Sequence, residues 1–136
     1  MNEAASTGPA IDRDAAAYDA VMAAYKLPQE SAEETRLRDG AIQRATRGAA
    51  EVPLQVAERS VALFERLGQL ASIAAASMKS DLEVARLMAA AGARGALANV
   101  EINLDSIADA NYVASMRSKS AALRERLVET SHSISA

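Results

Sequence analysis

The stretch 31-SAEETRLRDGAIQRATRGAAEVPLQVAERSVALFERLGQLASIAAA-76 decides the architecture. Ser31 with Glu34 three residues on has the form of a capping box, in which a hydroxyl and a carboxylate satisfy the first orphan N–H groups of a helix. The helix it opens should run to about Val52. Pro53 has no N–H to offer the carbonyl four residues back, so it is expected to kink or restart the helix. Beyond it, Leu54, Ala57, Val61, Phe64, Leu67, Ala71 and Ala74 recur at helical spacing and mark one apolar face over residues 54–76. Gly68 weakens that helix only modestly.

Upstream, Ile11, Ala15, Tyr18, Val21, Met22 and Tyr25 give a helix over residues 11–26, which Leu27-Pro28 stops because a residue before proline is pushed out of the α region. Downstream, Ser80 and Glu83 repeat the capping-box pattern and open a helix carrying Val84, Leu87, Met88, Ala91 and the stretch 92-GARGALANVEIN-103. A last helix runs from Tyr112 to about Thr130, with Val113, Met116, Leu123 and Leu127 apolar. No segment alternates with period two between turn residues. The fold class is therefore all-α: an antiparallel bundle of about five helices forming a single domain over residues 11–130, with a flexible lead-in at 1–10 and a tail at 131–136.

Half of the 136 residues are hydrophobic but only 3% are aromatic, so the core is built from Ala, Leu, Val, Ile and Met. Alanine brings little area at about 25 cal/mol per Å² buried. A second chain would thicken such a core, and a homodimer or larger homo-oligomer is expected. The 15 basic and 18 acidic residues are interleaved and the net charge is −3, with no basic stripe or aromatic platform for nucleic acid. Cysteine is absent and the one histidine, His132, lies in the tail. Disulfides, thiolate nucleophiles, Cys/His zinc sites and a Ser-His triad in the body are excluded, and no metal site is expected. The opening MNEAASTGPA has no signal-peptide pattern and no apolar run approaches the ~20 residues of a membrane span, which reads as a cytoplasmic protein without membrane contact.

In 92-GARGALANVEIN-103, residues Gly92, Gly95, Ala96, Asn99 and Asn103 share one broad helix face. Either this face packs tightly on a neighbouring helix, with the two asparagines bonding across the contact and no room for a side chain at Gly95, or the amides face a polar heterocycle. Asp81 is open in the same way: an acid in a first helical turn has a dipole reason to be there, worth ~0.3–1 kcal/mol, with no catalytic role. Arg94 would ordinarily be solvated, and Lys26 at a helix C-terminus has its own dipole reason.

Taken together, 14-DAAAYDAVMAAYKLP-28, 38-RDGAIQRATRGAAEVPLQVAE-58, and 80-SD-81 followed by 92-GARGALANVEINLDSI-107 resemble the formiminotetrahydrofolate cyclodeaminase and methenyltetrahydrofolate cyclohydrolase family. The similarity runs from about Ile11 to Leu127. The resemblance implies a homodimeric helical protein that binds a one-carbon tetrahydrofolate as substrate and works on a C–N bond of its amidine-like carbon, with no bound cofactor. It assigns proton transfer to Asp81, orientation of the heterocycle to Asn99 and Asn103, and the grip on an acidic tail to Arg94 or Lys26. Family members begin with a further helical portion carrying a Pro-Thr-Pro-Gly-Gly-Gly-type loop, which has no counterpart in these residues. The alternatives are a non-catalytic truncated homologue serving as a dimeric helical scaffold, or a related enzyme applying iminium chemistry to a non-folate substrate.

Overall fold

A computed structural model describes residues 7–132, with side chains from Pro9 to Val128. Residues 1–6 of the expected lead-in, residues 133–136 of the expected tail and the His132 side chain lie outside what it describes. Four α-helices follow one another: α1 (Thr7–Tyr25), α2 (Ala32–Ile73), α3 (Lys79–Leu104) and α4 (Ala110–His132), with a 3-10 turn, Ala76–Met78, before α3. Among the described residues there is no strand. Nor is any helix among them long and apolar enough to cross a membrane.

The helix count differs from five because α2 runs straight through Pro53. The expected capping box is present at its start: the Glu34 N–H donates to Ser31 Oγ at 3.1 Å and the Ser31 N–H to Glu34 Oε2 at 3.0 Å. At Pro53 one intrahelical bond, to the Ala49 carbonyl, is necessarily missing. The helix persists because Ala50, Pro53, Leu54 and Ala57 are all buried there, and packing on both sides offsets a local cost of about 3 kcal/mol. At 42 residues, α2 is about 63 Å long and every other helix packs on it.

Consecutive helices run antiparallel. Arg13 Nη1 donates to Gln55 Oε1 at 2.8 Å and Arg38 Nε to the Tyr25 carbonyl at 3.3 Å, which sets α1 antiparallel to α2. Arg86 of α3 lies over the Phe64 ring at 4.3 Å, and Gln43 at the other end donates to the Ser106 carbonyl at 3.1 Å. The α4 helix then returns alongside α2, held by Arg47 to Asp109 at 2.8 Å near one end and Arg126 to Glu65 at 2.6 Å near the other. Gly68 has a positive role here: a Cβ on it would stand 3.3 Å from the Arg86 guanidinium, so its bareness makes room for that buried cation.

Two helix starts depart from the sequence reading. The Ser80–Glu83 box does not form: α3 begins at Lys79 after Met78, with no side-chain cap. The 3-10 turn replaces it, since its carbonyls accept the Met78 and Lys79 N–H groups and leave Ser80 inside the helix. The α4 helix begins two residues ahead of Tyr112, because Asp109 Oδ1 accepts the Tyr112 N–H at 3.0 Å.

The core joins Leu54, Ala57, Val61 and Phe64 of α2 to Ala93, Leu97, Val100 and Leu104 of α3 and to Met116, Leu123 and Leu127 of α4. The faces read for α2 and α4 are the ones buried. On α3 the reading is reversed: Val84, Leu87, Met88 and Ala91 point outward, Met88 at 70% exposure, while Leu82, Arg86, Ala89, Ala90, Ala93 and Leu97 face α2. With alanines all around the helix both faces are apolar, and periodicity alone does not choose between them. Ile11, Tyr18, Met22 and Tyr25 of α1 are likewise exposed.

Candidate functional site

Where α1, α2 and α3 meet, an open groove of about 480 Å³ is lined by Ala10, Ile11 and Asp14 from α1, Val52, Pro53 and Val56 from α2, and Gly92, Gly95, Ala96 and Asn99 from α3. Its walls are apolar and its two polar side chains are Asp14 and Asn99. Asp14 arrives there because Ile11, three residues earlier on the same helix face, also faces the groove. Pro53 contributes its buried ring to one wall.

The glycines of α3 do not serve a close contact inside the chain. A Cβ built on Gly95 meets nothing within 4 Å, and one on Gly92 meets only Ser60 Oγ at 3.8 Å, an ordinary contact. As a seam inside the chain, the reading that Gly95 has no room for a side chain is therefore corrected. So is the expectation that the asparagines bond across a helix contact: Asn103 Nδ2 donates to the backbone oxygen of Asn99 at 2.9 Å and to its Oδ1 at 3.2 Å.

Of the five residues singled out in the sequence, only Asn99 lines the groove, and Asn103 holds it. Arg94 is exposed one residue before Gly95, about 100° away around the helix. Asp81 stands exposed in the first turn of α3, 18 residues and so about 27 Å along the axis from Asn99. Lys26 is exposed just past the end of α1, about 18 Å along that helix from Asp14. One chain thus brings together Asp14, Asn99 and Asn103, and leaves Asp81 and Lys26 at other ends of the bundle. Asp14 was not singled out from the sequence. The signal was its spacing from Ile11, which carries meaning only once α1 is laid on α2 with α3 across the groove.

A smaller cleft of about 260 Å³ between α2 and α4 includes Glu51, Glu58, Tyr112 and Lys119. There burial, with the Glu51 carboxylate accepting its hydrogen bond at 3.0 Å, pushes the Tyr112 phenol up to about 12. It stays protonated at neutral pH, and with Arg47 stacked 4.7 Å from its ring it ties α4 to α2.

The formiminotransferase-cyclodeaminase family model matches residues 3–122. The chain belongs to the formiminotransferase-cyclodeaminase family. Among curated relatives, it is 36% identical over 113 residues to the formimidoyltransferase-cyclodeaminase of Sus scrofa, covering 83% of this chain and 21% of that protein. It is 40% identical over 99 residues to the Rattus norvegicus protein of the same name, covering 73% and 18%. It is 34% identical over 134 residues to the methenyltetrahydrofolate cyclohydrolase of Methylorubrum extorquens, covering 91% of this chain and 62% of that protein. The chain therefore spans about a fifth of the length of the formimidoyltransferase-cyclodeaminases and under two thirds of the cyclohydrolase. The matched region takes in α1, α2, α3 and most of α4, and so every residue that lines the groove.

Proposed function

We propose that this chain binds a one-carbon tetrahydrofolate in the α1–α2–α3 groove and acts on a C–N bond of its amidine-like carbon, as a cyclodeaminase or cyclohydrolase would. The observation that carries this reading is the groove itself: an apolar slot of about 480 Å³ whose polar groups, Asp14 and Asn99, suit the edge of a heterocycle, in a chain whose relatives are folate enzymes. Either reaction needs groups that move protons and stabilise an iminium-like cation, and carboxylates and amides supply both.

The separation of about 27 Å between Asp81 and Asn99 favours a homodimer as the active unit. The outward face of α3 offers Val84, Leu87, Met88, Ala91 and Ile102 to a partner. If two α3 helices pair antiparallel about a two-fold axis near Ala91, Asp81 of the partner subunit falls beside Glu101, within the turn that joins Asn99 to Asn103. An isologous interface of this kind builds each site from two chains. Asp81 then serves as the proton-transfer group, with Arg94 near the seam, or Lys26 about 18 Å along α1 from Asp14, to hold an acidic tail.

The same distance supports a second reading, a non-catalytic dimeric scaffold that keeps the groove but not the chemistry. Incubating the full chain with formimino- and methenyltetrahydrofolate, and following the near-ultraviolet absorbance of the conjugated amidinium, separates them. Turnover that falls ~10²-fold in Asp81→Asn with an unchanged melting temperature supports the enzyme. Binding without turnover removes the enzyme, and no binding at millimolar ligand leaves only the scaffold.

A further inference from the structure

Resting on that reading of the groove as a folate site, we infer that Asp14 and Asn99 together read the 2-amino-4-oxo edge of a reduced pteridine ring, with Asn103 fixing the orientation of the Asn99 amide.

The polarity of the asparagine pair follows from the bonding. The backbone oxygen of Asn99 can only accept, so the Asn103 atom 2.9 Å from it is the NH₂ group. The same nitrogen stands 3.2 Å from the Asn99 side chain, which must therefore present its oxygen to Asn103. That leaves Asn99 Nδ2 as the group it offers a ligand, and Asn99 is a donor in the groove. Asp14, an exposed carboxylate, brings two acceptor oxygens. Its neighbour Arg13 is turned away, its guanidinium donating to Gln55 Oε1 and to the Pro9 carbonyl.

A carboxylate and an amide NH₂ lining one groove form a specific code. The 2-amino group and N3–H of the ring are adjacent donors that one carboxylate accepts in a two-pronged pair, and the neighbouring 4-oxo group accepts from an amide. Donor, donor and acceptor on the ring thus meet acceptor, acceptor and donor on the protein. The glycines fit the same occupant. Each is disfavoured in a helix relative to alanine, and nothing within this chain excludes a Cβ at Gly95. Without side chains there, the α3 wall is low enough for a flat ring to lie against the helix between Val52, Val56 and Ala96.

The test uses 6-methyltetrahydropterin, which carries this edge but neither the one-carbon group nor the acidic tail, titrated into the full chain by calorimetry and by the amide shifts of Gly92 and Gly95. Binding is expected in the unmodified chain, with a loss of about 10- to 100-fold in Asp14→Asn, which turns a donor toward a donor edge. Asn99→Asp should weaken binding likewise, because it sets a carboxylate oxygen against the 4-oxo acceptor. Equal affinity in Asp14→Asn overturns the inference while leaving the folate reading in place. So does binding of methenyltetrahydrofolate without binding of the pterin. A pterin that binds through Asp14, in a chain that never turns over a folate, upholds the inference and removes the catalytic reading. Absence of binding by either compound removes both.

Discussion

Asn103 reaches back one helical turn to Asn99 and donates to its backbone oxygen at 2.9 Å and its side-chain oxygen at 3.2 Å. The two amides so act as one unit, of which only Asn99 touches the groove. Asn103→Ala should leave the fold and melting temperature nearly unchanged, because the lost bonds are intrahelical and partly exposed. It should weaken the ligand about 3- to 10-fold by freeing the Asn99 amide to rotate, whereas Asn99→Ala should cost more, ~1–3 kcal/mol. Titration of both variants checks the order; a larger loss for Asn103 would make it the direct contact.

Pro53 interrupts the hydrogen-bond ladder of a helix that continues regardless. Pro53→Ala restores a donor to the Ala49 carbonyl and removes a penalty of about 3 kcal/mol, against the loss of roughly two buried methylenes at ~0.8 kcal/mol each. The net expectation is a gain of about 1 kcal/mol, read as a higher denaturation midpoint, together with weaker ligand binding because one groove wall is gone. A lower midpoint would show that the ring's packing outweighs the missing bond.

The ion pair of Glu65 with Arg126 and the phenol of Tyr112 give stability opposite pH limbs. The Arg126 guanidinium holds the Glu65 carboxyl below its usual value of 4.5, so its contribution is present above that pH and is lost as pH falls through the depressed folded value. Tyr112 is raised from 10.0 to about 12, so its contribution is present below pH 10 and lost as pH rises toward about 12. Denaturation followed against pH should show a shallower acid limb in Glu65→Gln and a shallower alkaline limb in Tyr112→Phe. Limbs that match the unmodified chain would refute the assignments.

The outward apolar face of α3 predicts self-association. Leu87→Glu and Met88→Glu alter exposed side chains, at 63% and 70% exposure, and should leave helicity intact while converting a dimer to monomers. Sedimentation at micromolar concentration decides, and a stable monomer of the unmodified chain would remove the two-chain site.

Where large apolar residues sit on one side and charges on the other, the sequence was readable. Leu54, Val61 and Phe64 of α2 and Met116, Leu123 and Leu127 of α4 are buried where their spacing placed them. The Ser31–Glu34 box formed because nothing nearby competed for those N–H groups, while Ser80 was pre-empted by a turn whose carbonyls did the capping. The α3 face was misread because small residues leave little contrast between the two sides of a helix, and α2 took the side without the larger side chains. Asn99 could be picked out because polar amides stand out in an alanine-rich helix. Asp14 could not, since an aspartate on an exposed helix has no local mark, and its meaning comes from a groove made of three separate segments.

The α1 helix rests almost wholly on α2, leaving the core of α2, α3 and α4 complete without it. A segment attached along one side can detach at far lower free energy than the whole molecule unfolds, and its amides then exchange with solvent on their own timescale. Because α1 carries Asp14 and one wall of the groove, a ligand that binds only the docked form must tie this helix down. Occupancy would thus be recorded in the deuterium uptake of α1, slowed by ligand while the protection of α3 and α4 hardly moves.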